Sequence, residues 1–482
     1  MESKMKEICL HIFRKDLRIH DNTALWIVAN DAKKYTIMPI FVFVSAQIDP
    51  KLNPYHCDNL IGFMKEAIME LDGLTNGNIV TPLIATNDNF VELLDDVVKL
   101  NNITAVSFNR DYTPYGRGRD EIIIKWCEDK NITCISSHDL CLKHPGETKL
   151  YRKFTPYANT YRGYRVKTQT VDHTKLKFAK CILPASFEFN IHNLTDYYKD
   201  NPGRLVRGGV TAARTRIEAI RTLHYDPTNR NLPSKDSTRL SAYLRFGCAS
   251  VREVYNASPE ALRNELIWRD FYYQLIYYLG YEVLAQRVIF KQSRSKAKGK
   301  ILSYKLAPNY AQVGSIDPTY WRRRATGAVA ARLFELWRSG RTGYPIVDAG
   351  MRELAATGFM HNRLRMITAD FLVKLLNINW TLGEQHFAQN LTDYDISANA
   401  GNWLWIVGAP WGQPKFRIFN PAEQNRKYDP DCVYVKRWVT ELANLDASDI
   451  IGIYNNTTDT PAGYIPMCVD YTRAREVYLA TL

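Results

Sequence analysis

Several familiar signatures of chemistry are missing from this sequence. The nine cysteines (Cys9, Cys57, Cys127, Cys134, Cys141, Cys181, Cys248, Cys432 and Cys468) are scattered, with no C-x-x-C pair. That supports neither a disulfide framework nor a zinc ribbon. The ten histidines show no metal-ligand spacing, so no metal site is expected. H-E-x-x-H, H-x-E with P-C-x-x-C, and G-x-S-x-G are all absent, which removes the common hydrolytic motifs. G-x-G-x-x-G and G-x-x-x-x-G-K-[ST] are absent too, leaving a dinucleotide or P-loop site without support. Apolar runs are short. The first, Ile8–Phe13, has six residues and is followed at once by Arg14, Lys15 and Asp16. This fits neither a signal peptide nor a membrane span. The expectation is an intracellular protein, cytoplasmic or nuclear, monomeric, not secreted and without a membrane partner.

What is present points to a folded chain with more than one core. Hydrophobic residues make up 46% and charged residues 23% of 482 positions, a globular balance on a chain too long for one ordinary domain. The net charge of +13 is unevenly placed. Residues 1–200 carry 26 Lys and Arg against 25 Asp and Glu, a net of +1; residues 201–482 carry 37 against 25, a net of +12. The second part also holds eight of the ten tryptophans, the others being Trp26 and Trp126. Lys and Arg neutralise phosphates and rings stack on bases, so this half suits nucleic acid. A merely basic surface fits the charge equally well.

Periodicity divides the chain. Strand patterns at Ile8–Phe13, Thr36–Val44, Asn78–Ala85, Thr104–Phe108 and Thr133–Ser137 alternate with helical patterns at Cys57–Leu71, Phe90–Leu100 and Arg117–Asp129. This succession implies a parallel, Rossmann-like α/β sheet covered on both faces. We expect an α/β domain over residues 1–137 and an irregular connector over 138–205, broken by Pro145, Pro156, Pro184 and Pro202. An all-α domain over 206–482 follows, with helices near Thr211–Leu223, Pro259–Leu279, Ala328–Ser339, Val347–Thr357, Met360–Leu376 and Gly383–Asn390. The run Lys291–Lys300, KQSRSKAKGK, has five basic residues in ten and reads as an exposed loop.

Four segments of the helical part could carry chemistry. In ELIWRDFYYQL, Glu265, Trp268 and Arg269 sit at i, i+3 and i+4 and share a helix face, either as a site or as a core indole beside a surface ion pair. In GFMHNRLRMITADFLVKLL, Asn362 and Met366 lie one turn apart; an amphipathic helix with Met in the core is the plainer reading. DYDISANAGNWLW gathers aspartates, asparagines and two indoles around Gly401. On a strand Trp403 and Trp405 would share a face, whereas on a helix they diverge, one toward an internal cofactor and one toward a cleft. In STRLSAYLRFG, Ser237, Thr238 and Ser241 stand at a helix start, suited to a phosphate or to ordinary capping.

Taken in order, FRKDLRIHDN (Phe13–Asn22), STRLSAYLRFG, ELIWRDF, GRTGYPIVDAGMREL, GFMHNRLRM, DYDISANAGNW and FRIFNP resemble the photolyase/cryptochrome family across almost the whole chain. The resemblance implies an α/β antenna domain joined to a helical domain holding FAD. Position by position, it implies FAD contacts from Tyr225, Ser237, Thr238, Leu240, Ser241, Asp395 and the pair Arg365–Asp393. Asn399 would lie beside the flavin N5, and an amide there fits repair better than plant-type signalling, where the family has Asp. Glu265, Asn399, Trp268 and Met366 would serve catalysis. Trp268 and Trp405 would flank a flipped-out lesion; Arg230, Glu265, Asn362, Arg363, Met366 and Gln424 would contact damaged DNA. Asn362 and Met366 resemble class I cyclobutane-dimer photolyases, since (6-4) enzymes have histidines there and DASH-type proteins resemble NRGRQ at this helix.

The implied activity is light-driven repair of cyclobutane pyrimidine dimers in UV-damaged DNA by electron transfer from excited reduced FAD, a carbon–carbon lyase reaction. The alternatives are a cryptochrome-type blue-light photoreceptor and a (6-4) or single-strand photolyase. Trp403 and Trp380 match the inner members of the family's electron-transfer chain. At the outer place alignment puts Gly327, with Trp321 the nearest indole. A second antenna chromophore (methenyltetrahydrofolate, a deazaflavin or FMN) is compatible with the family. The interval from Glu265 to Trp337 is longer than the family's, and its basic run is expected to form an extra DNA-contacting loop.

Overall fold

The computed structural model describes residues 7–223, 237–280, 327–409 and 412–482. Five parallel strands form the sheet: β1 (Ile8–Phe13), β2 (Thr36–Phe41), β3 (Ala105–Asn109), β4 (Thr133–Ser137) and β5 (Lys177–Phe178). Their order is β4-β3-β1-β2-β5, with Ile8 opposite Thr36 and Cys9 opposite Ala105. Helices α1 (Thr23–Asn30), α2 (Asp58–Leu74), α3 (Phe90–Asn101) and α4 (Pro114–Asp129) connect them.

Side chains alternate across a strand, and the two sheet faces accordingly feed two different cores. Leu10, Ile12, Met38, Ile40, Val106 and Phe108 join Leu93, Leu94 and Val97 of α3 and Ile123 and Trp126 of α4. Cys9, Phe13, Ile37, Phe41 and Ala105 pack instead into a core that runs through α2 into the helical domain, as far as Trp337, Trp380 and Trp403. Burial of both faces explains why these strands read as near-continuous apolar runs. Helix α3 shows the matching helical logic: Phe90, Leu93, Leu94 and Val97 are buried at i, i+3, i+4 and i+7, and Asn102 ends it at φ +53.

Three local expectations need correction. The expected strand Thr36–Val44 leaves the sheet at Val42, and Phe43–Val44 pairs separately with Leu83–Ile84. Asn78–Ala85 contributes only that pair and one bridge from Val80 to Ile40, because Pro82 has no N–H to donate. The stretch read as irregular after residue 138 supplies a short helix, Phe154–Ala158, and the edge strand β5.

The helical domain is built around α5 (Ser241–Phe246), α6 (Glu260–Leu279), α7 (Asn362–Asp370), α8 (Trp380–Asn390), α9 (Ile396–Val407) and α10 (Pro421–Tyr428). The expected single helix Met360–Leu376 is α7 followed by a wider π-turn segment, Phe371–Leu375, closed by Leu376 N–H on Phe371 O at 3.0 Å. Such wide turns occur often beside functional sites. Among the described residues no helix is long and apolar enough to cross a membrane.

The motif Phe13–Asn22 turns out to fasten the two domains. Arg252 of the helical domain reaches Asp21 at 3.1 Å and Asp139 at 2.7 Å, and Leu17 N–H donates to Phe246 O at 3.0 Å. Gly247, at φ +69, permits this approach, since a Cβ there would lie 2.0 Å from Lys15 O. Asn22 caps α1 by accepting from Leu25 N–H.

Candidate active-site cavity

A cavity of about 820 Å³ opens among α5, α6, α7 and α9. Small-molecule sites generally span roughly 300–1,000 Å³, so this one can take a large ligand. Each wall follows from local sequence. On α6 the i, i+3, i+4 spacing brings Glu265, Trp268 and Arg269 to the cavity together. Arg269 donates to Leu140 O, just after the last long sheet strand, at 2.6 Å and lies over the Tyr273 ring at 4.7 Å, so it is not the surface partner of Glu265. Trp268 is half-buried rather than core, and the Phe154 ring stacks on it at 3.6 Å and 3°.

Helix α7 begins at Asn362 because His361 Nδ1 accepts the Arg363 N–H at 3.1 Å. Asn362, Arg363, Arg365 and Met366 all line the cavity. Arg363 lies over the Tyr428 ring at 4.7 Å. Arg365 donates to Asp393 at 2.8 Å and to Met360 O at 2.8 Å, the ion pair expected from the sequence.

DYDISANAGNWLW is helical from Ile396 onward, which settles the direction of its two indoles. Asp395 caps α9 by accepting from Ser397 and Ala398 N–H, and its other oxygen accepts from Tyr273 at 2.5 Å. Burial raises the Asp395 pKa, but Lys15, Arg245 and the Tyr273 hydrogen bond outweigh it and hold the carboxyl below its ordinary value. Gly401 lets α6 and α9 touch, since a Cβ would meet Tyr272 at 2.3 Å. Trp403 is buried, 5.1 Å from Phe387 and 6.4 Å from Trp337, while Trp405 stays half-buried. Both reach the cavity from different sides of one helix. Gly383 is required below Trp403, whose ring would lie 2.3 Å from a Cβ.

STRLSAYLRFG behaves differently from an ordinary cap. Helix α5 starts at Ser241 after Leu240, with no side-chain cap, and Ser237, Thr238 and Leu240 ahead of the helix line the cavity together with Ser241, its first residue. Arg239 sits at φ +51, an uncommon conformation for a residue with a Cβ. Two buried polar atoms of the lining, Arg239 Nε and Asp393 Oδ1, have no partner among the described residues. A polar guest beside aromatic walls satisfies such atoms, and the flavin, ribityl and phosphate parts of FAD supply that mixture.

Some expected residues fall elsewhere. Trp380 is buried at the start of α8 and Gln424 lies on α10; neither lines the cavity. Gly327 opens the helix Gly327–Arg338 and brings no indole to the outer place. Tyr225, Arg230, Trp321 and the basic run Lys291–Lys300 lie outside the described residues.

The cavity also holds residues that the sequence reading did not name. Tyr272 extends the α6 face, being i+4 from Trp268 and i+7 from Glu265, so periodicity could have found it. Arg245 is i+4 from Ser241 in the same way. Behind the lining, Phe154 backs Trp268 and Trp337 approaches Trp403, and neither contact carried a local signal. At the carboxyl ends of the sheet strands, Arg14–Asp120 and Lys15–Asp111 (2.9 Å) fill the crevice and leave only about 10 Å³.

Comparison with known proteins agrees with this geometry. Residues 9–174 match the family described as DNA photolyase, and residues 262–482 match the FAD binding domain of DNA photolyase. The chain is 30% identical to deoxyribodipyrimidine photo-lyase of Vibrio cholerae, covering 97% of both sequences. It is 29% identical to the enzyme of that name from Buchnera aphidicola, over 91% of this chain and 90% of that one. An archaeal photolyase from Sulfolobus tokodaii, solved with two FAD molecules, superposes with a TM-score of 0.78 at 29% identity, over 98% and 99% of the two chains.

Proposed function

The chain belongs to the DNA photolyase family, and on that premise we propose that it repairs cyclobutane pyrimidine dimers in UV-damaged DNA, with lesion and cofactor sharing the cavity. The activity class is deoxyribodipyrimidine photo-lyase. What FAD supplies when bound is light-driven donation of one electron, returned after the cyclobutane ring has opened.

The rest falls to this chain's own residues. Ser237, Thr238, Leu240, Ser241, Asp395, Asn399 and the Arg365–Asp393 pair hold the cofactor. Basic residues of the helical domain, Arg363 among them, grip the strand, and the dimer leaves the stack, which is cheapest where stacking is already damaged. Trp268 and Trp405 stack against the extruded bases, worth about 1–3 kcal/mol per base. Glu265 hydrogen-bonds the base edge and stabilises the charge that develops there. Trp403 and Trp380 pass electrons inward when an oxidised cofactor must be reduced.

One observation carries the choice of lesion. Asn362 and Met366 face the same cavity as Glu265 and Trp268, and neither is a histidine able to supply acid chemistry. His361, the histidine of the lining, uses Nδ1 to cap α7. The test is light-dependent repair by reduced protein on two oligonucleotides, one with a cyclobutane thymine dimer and one with a (6-4) photoproduct. Repair of the first alone is expected. Repair of the second alone sinks the assignment from α7, and repair of neither with FAD bound moves a photoreceptor role to first place.

A further inference from the structure

Behind the cavity wall stands a buried carboxyl that the proposed mechanism does not use. Glu384 lies on α8, is 4% exposed, and does not itself line the cavity. One carboxyl oxygen and the backbone carbonyl of Glu384 meet the same side chain. The Asn399 amide nitrogen donates to Glu384 Oε1 at 3.0 Å and to the Glu384 backbone O at 3.2 Å. A backbone carbonyl only accepts, so the NH₂ of Asn399 must be on this side. Its Oδ1 is then turned away, without a partner among the described residues, and Asn399 lines the cavity.

The carboxyl is itself held from two domains. The Tyr394 hydroxyl donates to Oε1 at 3.2 Å, and the Tyr55 hydroxyl faces the same carboxyl from the α/β domain. The two rings stack at 6.2 Å and 29°. The loop carrying Tyr55 is tied to α8 by Gln385 and Gln389, whose amides donate to Pro54 O at 3.2 and 3.0 Å, and the start of α2 is tied there by Asn59, which donates to Asn390 O at 2.9 Å. The groups acting on Glu384 are therefore Asn399, Tyr55 and Tyr394, all neutral. Burial pushes its carboxyl pKa up and these three hydrogen bonds oppose it. The backbone carbonyl gives the same amide a second acceptor, one that does not titrate.

We infer that Glu384, braced by Tyr394 and Tyr55, is a positioning residue that fixes the Asn399 amide with its oxygen toward the cofactor. This rests on the placement of Asn399 beside the flavin N5. An amide oxygen accepts from N5–H, which only the reduced ring carries, and repels the bare lone pair of the oxidised ring. A fixed acceptor-facing amide thus favours reduced flavin and raises its midpoint potential. The α/β domain takes part through Tyr55.

The experiment is an equilibrium potential titration of the FAD-loaded chain with dithionite and a reference dye. Glu384→Gln keeps the backbone acceptor but replaces the carboxyl with a group that can donate as well as accept, so one of the two bonds that hold the Asn399 amide oxygen-out is no longer one-way. A tenfold loss of preference for reduced over oxidised flavin is expected, about 30 mV lower for a two-electron couple. An unchanged or raised potential overturns the inference. If Glu384→Gln does not retain FAD, the Tyr55→Phe/Tyr394→Phe variant decides, because it keeps the carboxyl but removes two of its donors. A fall in the same direction supports the inference and no change overturns it. A purified wild type that binds no FAD overturns both this inference and the function beneath it. A potential shift in a chain that repairs neither lesion leaves the inference standing and overturns only the repair reading.

Discussion

Lys374→Met should destabilise the protein strongly, and less so in acid. Lys374 and Asp370 are fully buried at the π-turn after α7, 2.6 Å apart. Asp370 also accepts from Phe419 N–H at 2.9 Å and from the Gln413 amide at 3.2 Å, while Lys374 donates to Arg417 O at 2.5 Å. The pair therefore staples residues 412–419 to the floor of the helical domain, and Gln413 N–H in turn binds Trp405 O at 3.1 Å. Removing one partner of a buried pair costs about 3–5 kcal/mol. At roughly 2–4 °C per kcal/mol, the melting temperature should fall about 6–20 °C at pH 8. Burial already raises the Asp370 pKa, and Lys374 is the largest influence lowering it. Without the lysine the folded state takes up a proton there more readily than the unfolded chain, so the deficit shrinks as pH falls. Once Asp370 is neutral only lost hydrogen bonds remain, about 0.5–1.5 kcal/mol each. Lys374→Met with Asp370→Asn should recover most of the loss at pH 8. Thermal melts by circular dichroism and flavin release at pH 8 and 5.5 check this. A shift under about 2 °C at pH 8, or a gap that widens on acidification, would refute the reasoning.

Trp403→Phe should abolish photoreduction of oxidised flavin while repair by pre-reduced enzyme persists; loss of both means the role is wrong. Trp268→Ala should weaken binding of dimer-containing DNA roughly 5- to 150-fold, the equivalent of about 1–3 kcal/mol of stacking, with undamaged DNA little affected. Equal losses on both duplexes would instead mark a general defect. The His11 pKa is lowered to about 3, first by burial and then by Arg14, against 6.5 in the unfolded chain. A depressed histidine contributes stability above pH 6.5 that is lost as pH falls toward 3, about 1.4 kcal/mol per unit. Urea melts from pH 6.5 to 4.5 should therefore show a slope that His11→Asn flattens; an unflattened slope assigns the loss elsewhere.

How far the sequence reached can be judged residue by residue. Ile8–Phe13 was legible to the residue, because a strand buried on both faces is written as a short apolar run bounded by polar residues, and Thr133–Ser137, a β-branched, half-exposed edge strand, matched its expected bounds as well. The α6 trio and the Asn362/Met366 pair were legible because a helix face is set by spacing of three and four. Arg365–Asp393 came through resemblance, and the structure gives it a 2.8 Å geometry. Other features left no local trace. The two-residue strand β5 is too short for any period, and Pro82 cancelled a strand that its neighbours suggested. The stack of Phe154 on Trp268, the approach of Trp337 to Trp403, and the brace from Tyr55 to Glu384 join residues far apart in the chain. Whether Trp403 and Trp405 shared a face was undecidable until α9 was known to be a helix.

The sequence by itself determined the fold class, the basic aromatic half and the side chains that share a turn, since these depend on periods of two or 3.6 residues. Only the tertiary structure decided which side chains from different elements meet around the cavity, and which way the Asn399 amide faces. Those depend on the path of the chain between elements, on close approaches such as Gly383 under Trp403, and on buried partners that a linear pattern does not encode.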